Sequence, residues 1–74
     1  MIVVKFKDVG RQKKSWTATC SESEMGYDWL YEQIRRRAGV MSQDVDFIEN
    51  IDDEYVSIYA GAHKIGEYFA DARG

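Results

Sequence analysis

The chain has 74 residues, one cysteine and a net charge of −3. This length allows one small domain, the single cysteine excludes an internal disulfide, and no apolar run reaches the roughly 18 residues of a membrane-spanning helix. A chain that is acidic overall is poorly suited to neutralising phosphates, so we expect no direct binding to nucleic acid. We expect a single domain over residues 1–74 that is soluble, cytoplasmic, complete as it stands and not associated with membranes.

The first twenty residues predict a β-hairpin. Apolar and charged side chains alternate over Ile2 to Val9, and apolar and polar ones alternate over Ser15 to Cys20. Gly10 stands in the turn, where a positive φ angle is readily adopted. Residues 1–14 carry a charge of +4, whereas the remainder carries −7, so the hairpin holds most of the concentrated positive charge.

The stretch Ser21 to Gly39 predicts the only helix. Ser21 and Glu24 have the spacing of a capping box, and Gly39 stands where a left-handed C-cap residue would. One apolar stripe about 100° wide comprises Tyr27, Leu30, Tyr31, Ile34 and Ala38. Met25 and Trp29 lie away from the centre of this stripe. Either the sheet edge or the first hairpin covers them, or they form an exposed protein interface.

Three further strands are predicted after a connector at residues 40–43. Their bounds are Val45 to Ile51, Tyr55 to Ala60 and His63 to Ala70. Turns are predicted at Asp52 to Glu54 and at Gly61-Ala62, and a polar tail follows from Asp71.

The element order ββαβββ predicts the α+β class, with one antiparallel sheet and the helix packed on one face. A β-grasp arrangement is the alternative, because it also opens with a hairpin and a helix. We expect the helix-side core to comprise Ile2, Val4, Phe6, Trp16, Ala18, Cys20, Leu30, Ile34, Val45, Phe47, Val56, Ile58, Ile65 and Phe69.

The residues that could carry catalysis are few. His63 is the only histidine and lies beside a predicted turn, and Cys20 ends a strand on its apolar face. A general base needs positioned partners, and a nucleophilic thiol needs an electropositive, partly exposed setting. The six glycines are scattered and form no phosphate-binding loop. We therefore expect no enzymatic activity and no cofactor.

The densest charge feature is a run of six carboxylates, which are Asp44, Asp46, Glu49, Asp52, Asp53 and Glu54. It can be read as a solvated turn or as a calcium site, although the ligand spacing and glycine of an EF-hand are missing. The third interpretation is an array of carboxylates that docks on a surface rich in lysine and arginine.

The sheet face opposite the helix should carry apolar and aromatic residues, which are Val3, Ile48, Tyr55, Tyr59 and Tyr68. They are interleaved with Lys5, Lys7, Thr17, Thr19 and Lys64. Tyrosine is favoured at protein interfaces because it offers a large contact area at low entropic cost. Ordinary cross-strand pairing, a homodimer interface and base stacking are alternatives.

The whole chain resembles small phage-encoded anti-CRISPR proteins in size, acidity and order of elements. The similarity lies in the opening Ile2-Val3-Val4-Lys5-Phe6, the helix after Thr19-Cys20-Ser21, and the hairpin from Tyr55 to Phe69. Several of those proteins are single antiparallel sheets with one helix. They act without catalysis, by occluding the nucleic-acid-binding surface of a CRISPR effector complex. No shared motif transfers a functional residue to this chain.

The leading hypothesis is a non-enzymatic protein-binding inhibitor, monomeric or homodimeric, that covers a basic surface of a host defence complex. The acidic run, the sheet tyrosines, Met25 and Trp29 would form its binding residues. One alternative is a nucleic-acid-binding module that uses the basic hairpin and the tyrosines. Another is a homo-oligomeric structural protein.

Overall fold

The computed structural model describes residues 1–49 and 54–72. Within them the elements are β1 (Ile2–Val9), β2 (Lys14–Cys20), α1 (Tyr27–Ala38), β3 (Val45–Glu49), β4 (Val56–Ala60) and β5 (His63–Ala72). The five strands form one antiparallel sheet, and the helix packs on one of its faces. The α+β architecture predicted from the sequence is confirmed.

The strand order across the sheet is β2-β1-β5-β4-β3. All four strand pairings are antiparallel, including the central pairing of β1 with β5, which is not a β-grasp arrangement. The two edge strands, β2 and β3, are the ones joined through α1. The helix therefore crosses the sheet from one edge to the other, and it buries Leu30 and Ile34 against it.

The helix N-cap lies five residues later than predicted, at Gly26 instead of Ser21. The capping-box pair does form: the Glu24 N–H donates to Ser21 Oγ at 3.3 Å, and the Ser21 N–H donates to Glu24 Oε1 at 3.1 Å. These bonds close a separate turn, because Gly26 has an extended backbone and α1 starts only at Tyr27. At the other end, Gly39 has the predicted left-handed conformation with φ of 68°.

The remaining boundaries differ by one or two residues. Strand β2 begins at Lys14, β4 begins at Val56, and β5 continues through Asp71 and Ala72, where a polar tail was predicted. The predicted end of β3 at Ile51 and the predicted turn residues Asp52 and Asp53 lie outside the described residues.

The core is centred on Phe6. Its ring stacks on Trp16, with centroids 4.5 Å apart and planes 15° apart, and it also contacts Tyr68 and Trp29. The Trp16 indole Nε1–H donates to Gln33 Oε1 at 3.3 Å, which ties edge strand β2 to the helix. The fully buried side chains around this cluster are Val4, Val9, Ile34 and Ile58.

The predicted faces of β5 are wrong in part. Tyr68 was expected on the open face and Phe69 in the core, yet Tyr68 pairs with Phe6 and is only 7% exposed. The cause is an irregularity opposite Ile58 and Tyr59, which leaves Ile65 as one extra residue in β5. One extra residue reverses the alternation, so Ile65 and Tyr68 both pack on the core and Phe69 faces outward.

Met25 and Trp29 are partly buried and pack against the core cluster. Of the two alternatives for this pair, the structure favours the covered helix flank. Among the residues that the structure describes, no helix has the length and apolar character needed to cross a membrane.

Candidate functional site

Cys20 and His63 do not come together. Cys20 is buried, and its thiol lies 3.9 Å from the Met25 sulfur. Burial raises the pKa of Cys20, and the charge of Glu24 raises it further, so the thiol is held in its unreactive protonated form. Cys20 pairs with Ile2, which pairs with the last residue of β5, whereas exposed His63 is the first residue of that strand.

Four exposed carboxylates surround edge strand β3. Asp44 precedes the strand, Asp46 and Glu49 lie within it, and Asp28 extends from the first turn of the helix. We call these four residues the acidic edge. Within the described residues, no three acidic, histidine or cysteine side chains are placed to hold a metal ion.

Tyr27 lies among three residues of the acidic edge, Asp28, Asp44 and Asp46. Its hydroxyl donates to the carbonyl oxygen of Val45 at 2.6 Å, and its ring contacts Phe47 with centroids 5.3 Å apart. Burial raises the pKa of Tyr27, and the charges of Asp46, Tyr31, Asp44 and Asp28 add to the effect in that order. The three aspartates therefore share one local field around the tyrosine.

The acidic edge also exposes apolar area. Tyr27 is 47% exposed on the helix side of the sheet, and Ile48 is 49% exposed on the open face. Large side chains at this exposure are candidates for the apolar contacts of a protein interface. The acidic edge thus combines carboxylates with two apolar contact points.

The carboxylates of the acidic edge have no cationic partner among residues 1–49 and 54–72. The ion pairs found there use other acids: Glu32 pairs with Arg35 and Arg36, and Glu67 pairs with Lys7 and Lys64. Of the rest of the predicted acidic run, Glu54 is exposed ahead of β4, and Asp52 and Asp53 lie outside the described residues.

The open sheet face adjoins the acidic edge. Asp46 lies opposite Tyr59 in the ladder between β3 and β4, and Ile48 lies opposite Ser57. Further along this face, Tyr55 and Phe69 pack with ring centroids 6.0 Å apart. The predicted tyrosines Tyr55 and Tyr59 are therefore on this face, and Phe69 takes the place expected for Tyr68.

Sequence reasoning identified three members of the acidic edge and missed two important residues. Asp28 is distant in sequence from the predicted acidic run, and Tyr27 was assigned to the helix stripe alone. A tyrosine at the start of a helix, with an acid beside it, was the only available signal. No protein-family model, curated protein or solved structure matches this chain.

Proposed function

We propose that this protein is a non-enzymatic protein-binding inhibitor whose acidic edge docks on a surface rich in lysine and arginine. The observation that carries the proposal is the group of unpaired aspartates around half-exposed Tyr27. Carboxylates with no cation of their own gain favourable interactions when a partner supplies one. This charge pattern attracts a basic partner electrostatically and speeds its encounter.

The apolar contact points support a protein as the partner rather than a free cation. Interfaces owe much of their affinity to a few well-packed aromatic side chains, and charges at their rim mainly set the association rate and the specificity. Tyr27 and Ile48 supply the apolar area, and the acidic edge supplies the rim. A surface that normally holds phosphates has the matching chemistry, because it presents lysine and arginine side chains.

The nucleic-acid-binding surface of a CRISPR effector complex is the specific target that we propose. On this view the protein would be phage-encoded and would act by occupying that surface in place of DNA. The similarity in size, acidity and element order supports this choice. The mode of action needs no catalytic residue, which fits the separation of Cys20 from His63.

The test is a binding assay with purified, guide-loaded CRISPR effector complexes of several types. Association should be measured by surface plasmon resonance at low and at physiological salt, and target-DNA binding by gel shift. We expect one complex to bind the protein with a rate constant that falls as salt rises, and to lose its affinity for DNA. If no effector complex binds, the proposed target is wrong.

A charge reversal tests the docking surface itself. Asp46→Lys should slow association roughly tenfold, because it removes an attraction and adds a repulsion. Glu22→Lys is the matched control, since it changes the net charge equally at an exposed site that follows the opposite edge strand, β2. Equal rates for the two variants would remove the acidic edge from the docking surface.

A further inference from the structure

A groove of about 1150 Å³ lies at the end of the molecule where α1 terminates. The loop of the first hairpin forms one wall, with Arg11, Lys13 and Lys14. The end of α1 forms another, with Arg36 and Arg37, and the hairpin between β4 and β5 contributes Lys64. We call this feature the basic groove.

The charge of the basic groove is opposite to that of the whole chain. Seven cationic and two anionic side chains line it, which gives a net charge of +5, although the chain as a whole carries −3. The negative net charge of the chain argues against phosphate binding only where the charges are spread evenly over the surface. The fold instead separates the charges, with the acidic edge on β3 and the basic groove at the end of α1.

Backbone contacts fix the two main walls together. A Cβ atom on Gly10 would lie 3.1 Å from the carbonyl oxygen of Ala38, so the hairpin turn rests directly on the end of the helix. The Gly10 N–H also donates to the carbonyl oxygen of Ile65 at 2.9 Å, which joins the turn to β5. The cations of the loop and of the helix are thereby held on the same groove.

Four cations of the basic groove have no ion pair within the described residues: Arg11, Lys13, Lys14 and Arg37. By contrast, Lys7 and Lys64 share Glu67, and Arg36 donates to Glu32 at 2.9 Å. Like charges gathered without counterions repel one another, and a polyanion removes that repulsion. Arginine is well suited to the task because its planar fork binds phosphate through two parallel hydrogen bonds.

Lys7 connects the basic groove with the aromatic pair on the open face. It lines the groove, and its Nζ lies 5.5 Å from the centroid of the Tyr55 ring. Tyr55 in turn packs on Phe69. Proteins that bind single strands combine a cationic groove for the backbone with aromatic rings on which the bases stack. Both parts are present here and adjoin at one residue.

We propose that the basic groove binds the phosphate backbone of a single-stranded nucleic acid, with bases stacked on Tyr55 and Phe69. This activity goes beyond the proposed inhibitor function and uses different residues. An acidic protein segment would use the cations but would leave the neighbouring aromatic rings without a specific role. The acidic edge of a second copy is the other occupant of matching charge, and it is one outcome of the test.

The test measures fluorescence anisotropy of labelled oligothymidylate and oligouridylate, each about 15 nucleotides long, in a salt titration. The logarithm of the binding constant should fall with the logarithm of salt, with a slope near −3 if four cations each neutralise a phosphate at about 0.7 per contact. The two oligonucleotides compare a DNA strand with an RNA strand, and salt-dependent binding of either one supports the proposal. A labelled duplex of the same length should bind more weakly.

Three variants separate the contributions of the groove, of general charge and of the aromatic pair. Arg11→Gln combined with Arg37→Gln should weaken binding roughly 25-fold at 0.1 M salt, because each lost contact is worth a factor of about 5 there. Arg35→Gln is the matched control for Arg37→Gln, since Arg35 belongs to the same helix but does not line the groove. Tyr55→Ala should weaken binding about fivefold or more and leave the salt slope unchanged.

Several results would overturn the proposal. The first is the absence of any anisotropy change at 50 mM salt, about a third of physiological ionic strength. The second is an equal loss of oligonucleotide affinity in Arg35→Gln and Arg37→Gln. The third is duplex binding as tight as single-strand binding. A mass by light scattering that doubles at low salt, together with no oligonucleotide binding, would assign the groove to a second copy. Asp46→Lys should not weaken oligonucleotide binding, so failure of this proposal is distinguishable from failure of the inhibitor proposal.

Discussion

Gly66 packs so closely on Val9 that a Cβ atom added to Gly66 would lie 2.8 Å from the Val9 Cα. The contact arises where two strand irregularities meet, one between Phe6 and Val9 in β1 and one at Ile65 in β5. Extra residues at these points turn Val9 inward, and its side chain is fully buried. The centre of the sheet therefore depends on the absence of a side chain at position 66.

We expect Gly66→Ala to lower the free energy of unfolding by about 1–3 kcal/mol, because the added Cβ would meet the Val9 Cα in the backbone and the Cγ2 of its fully buried side chain. Urea denaturation followed by circular dichroism measures the change. Gly26→Ala is the control: it has an extended backbone and no atom within 4 Å of its Cβ position. Gly26 is also the helix N-cap, where alanine is disfavoured, and this effect opposes the gain from a stiffer unfolded chain. The net change should therefore stay within about 1 kcal/mol of zero. Similar losses in both variants would contradict the packing argument.

The same irregularities explain which parts of the fold were predictable. All six elements follow from alternation, helical periodicity and turn residues, and the Gly39 C-cap was located correctly. The inward position of Val9 and the exchange of Tyr68 for Phe69 were not predictable, because strand alternation assumes no extra residue. Gly66 was the one local sign of a bulge or of close backbone approach in β5.

Because the alternation in β5 is reversed, substitutions at the adjacent residues Tyr68 and Phe69 test which of the two side chains faces the core. Tyr68→Ala should lower the free energy of unfolding by about 3–5 kcal/mol, because it leaves a cavity between Phe6 and Phe47 in the core. A chain of this size has a total stability of roughly 4–11 kcal/mol, so this variant should be largely unfolded in mild urea. Phe69→Ala should cost about 1 kcal/mol, since it loses mainly a cross-strand contact with Tyr55.

Thermal unfolding of the two variants, followed by circular dichroism, checks this prediction. If Phe69→Ala is the more damaging change, the regular alternation predicted from the sequence is correct for β5 and the extra residue at Ile65 is not present.

The candidate site was predictable only where it is local in sequence. Asp44, Asp46 and Glu49 stand out as a run, whereas Asp28 joins them through the packing of the helix on β3. The basic groove needs tertiary structure even more, because Gly10 must rest on Ala38 before the loop cations and the helix arginines share a surface. The run of carboxylates and the positive first hairpin were visible in the sequence, but the helix residues that complete each surface were not.

The hydrogen bond from Tyr27 to Val45 predicts a role in fixing edge strand β3. Tyr27→Phe removes only the donor, so we expect a loss of about 0.5–1.5 kcal/mol in the free energy of unfolding. Tyr59→Phe is the control, because the Tyr59 hydroxyl has no hydrogen bond within the described residues. The free energy of unfolding of this variant should be close to that of the unmodified protein. Urea midpoints measure both. Native-state hydrogen exchange should also show faster exchange in β3 for Tyr27→Phe alone.

Alkaline pH should destabilise the fold through its buried tyrosine. Burial raises the pKa of Tyr68 above its ordinary value, and the charge of Glu49 raises it further. Burial likewise raises the pKa of Tyr27 and of the Cys20 thiol. A group whose pKa is raised by folding binds its proton more tightly in the folded state. Its contribution is complete below the ordinary pKa and is lost as the pH rises through the raised value.

The urea midpoint should therefore stay level up to about pH 8, decline slightly as Cys20 begins to ionise, and fall steeply above about pH 10. Tyr68→Phe keeps the buried ring and removes the ionisable group, so its steep decline should be smaller than that of the unmodified protein. If Tyr68→Phe declines as steeply as the unmodified protein, ionisation of the buried tyrosine does not drive the alkaline loss of stability.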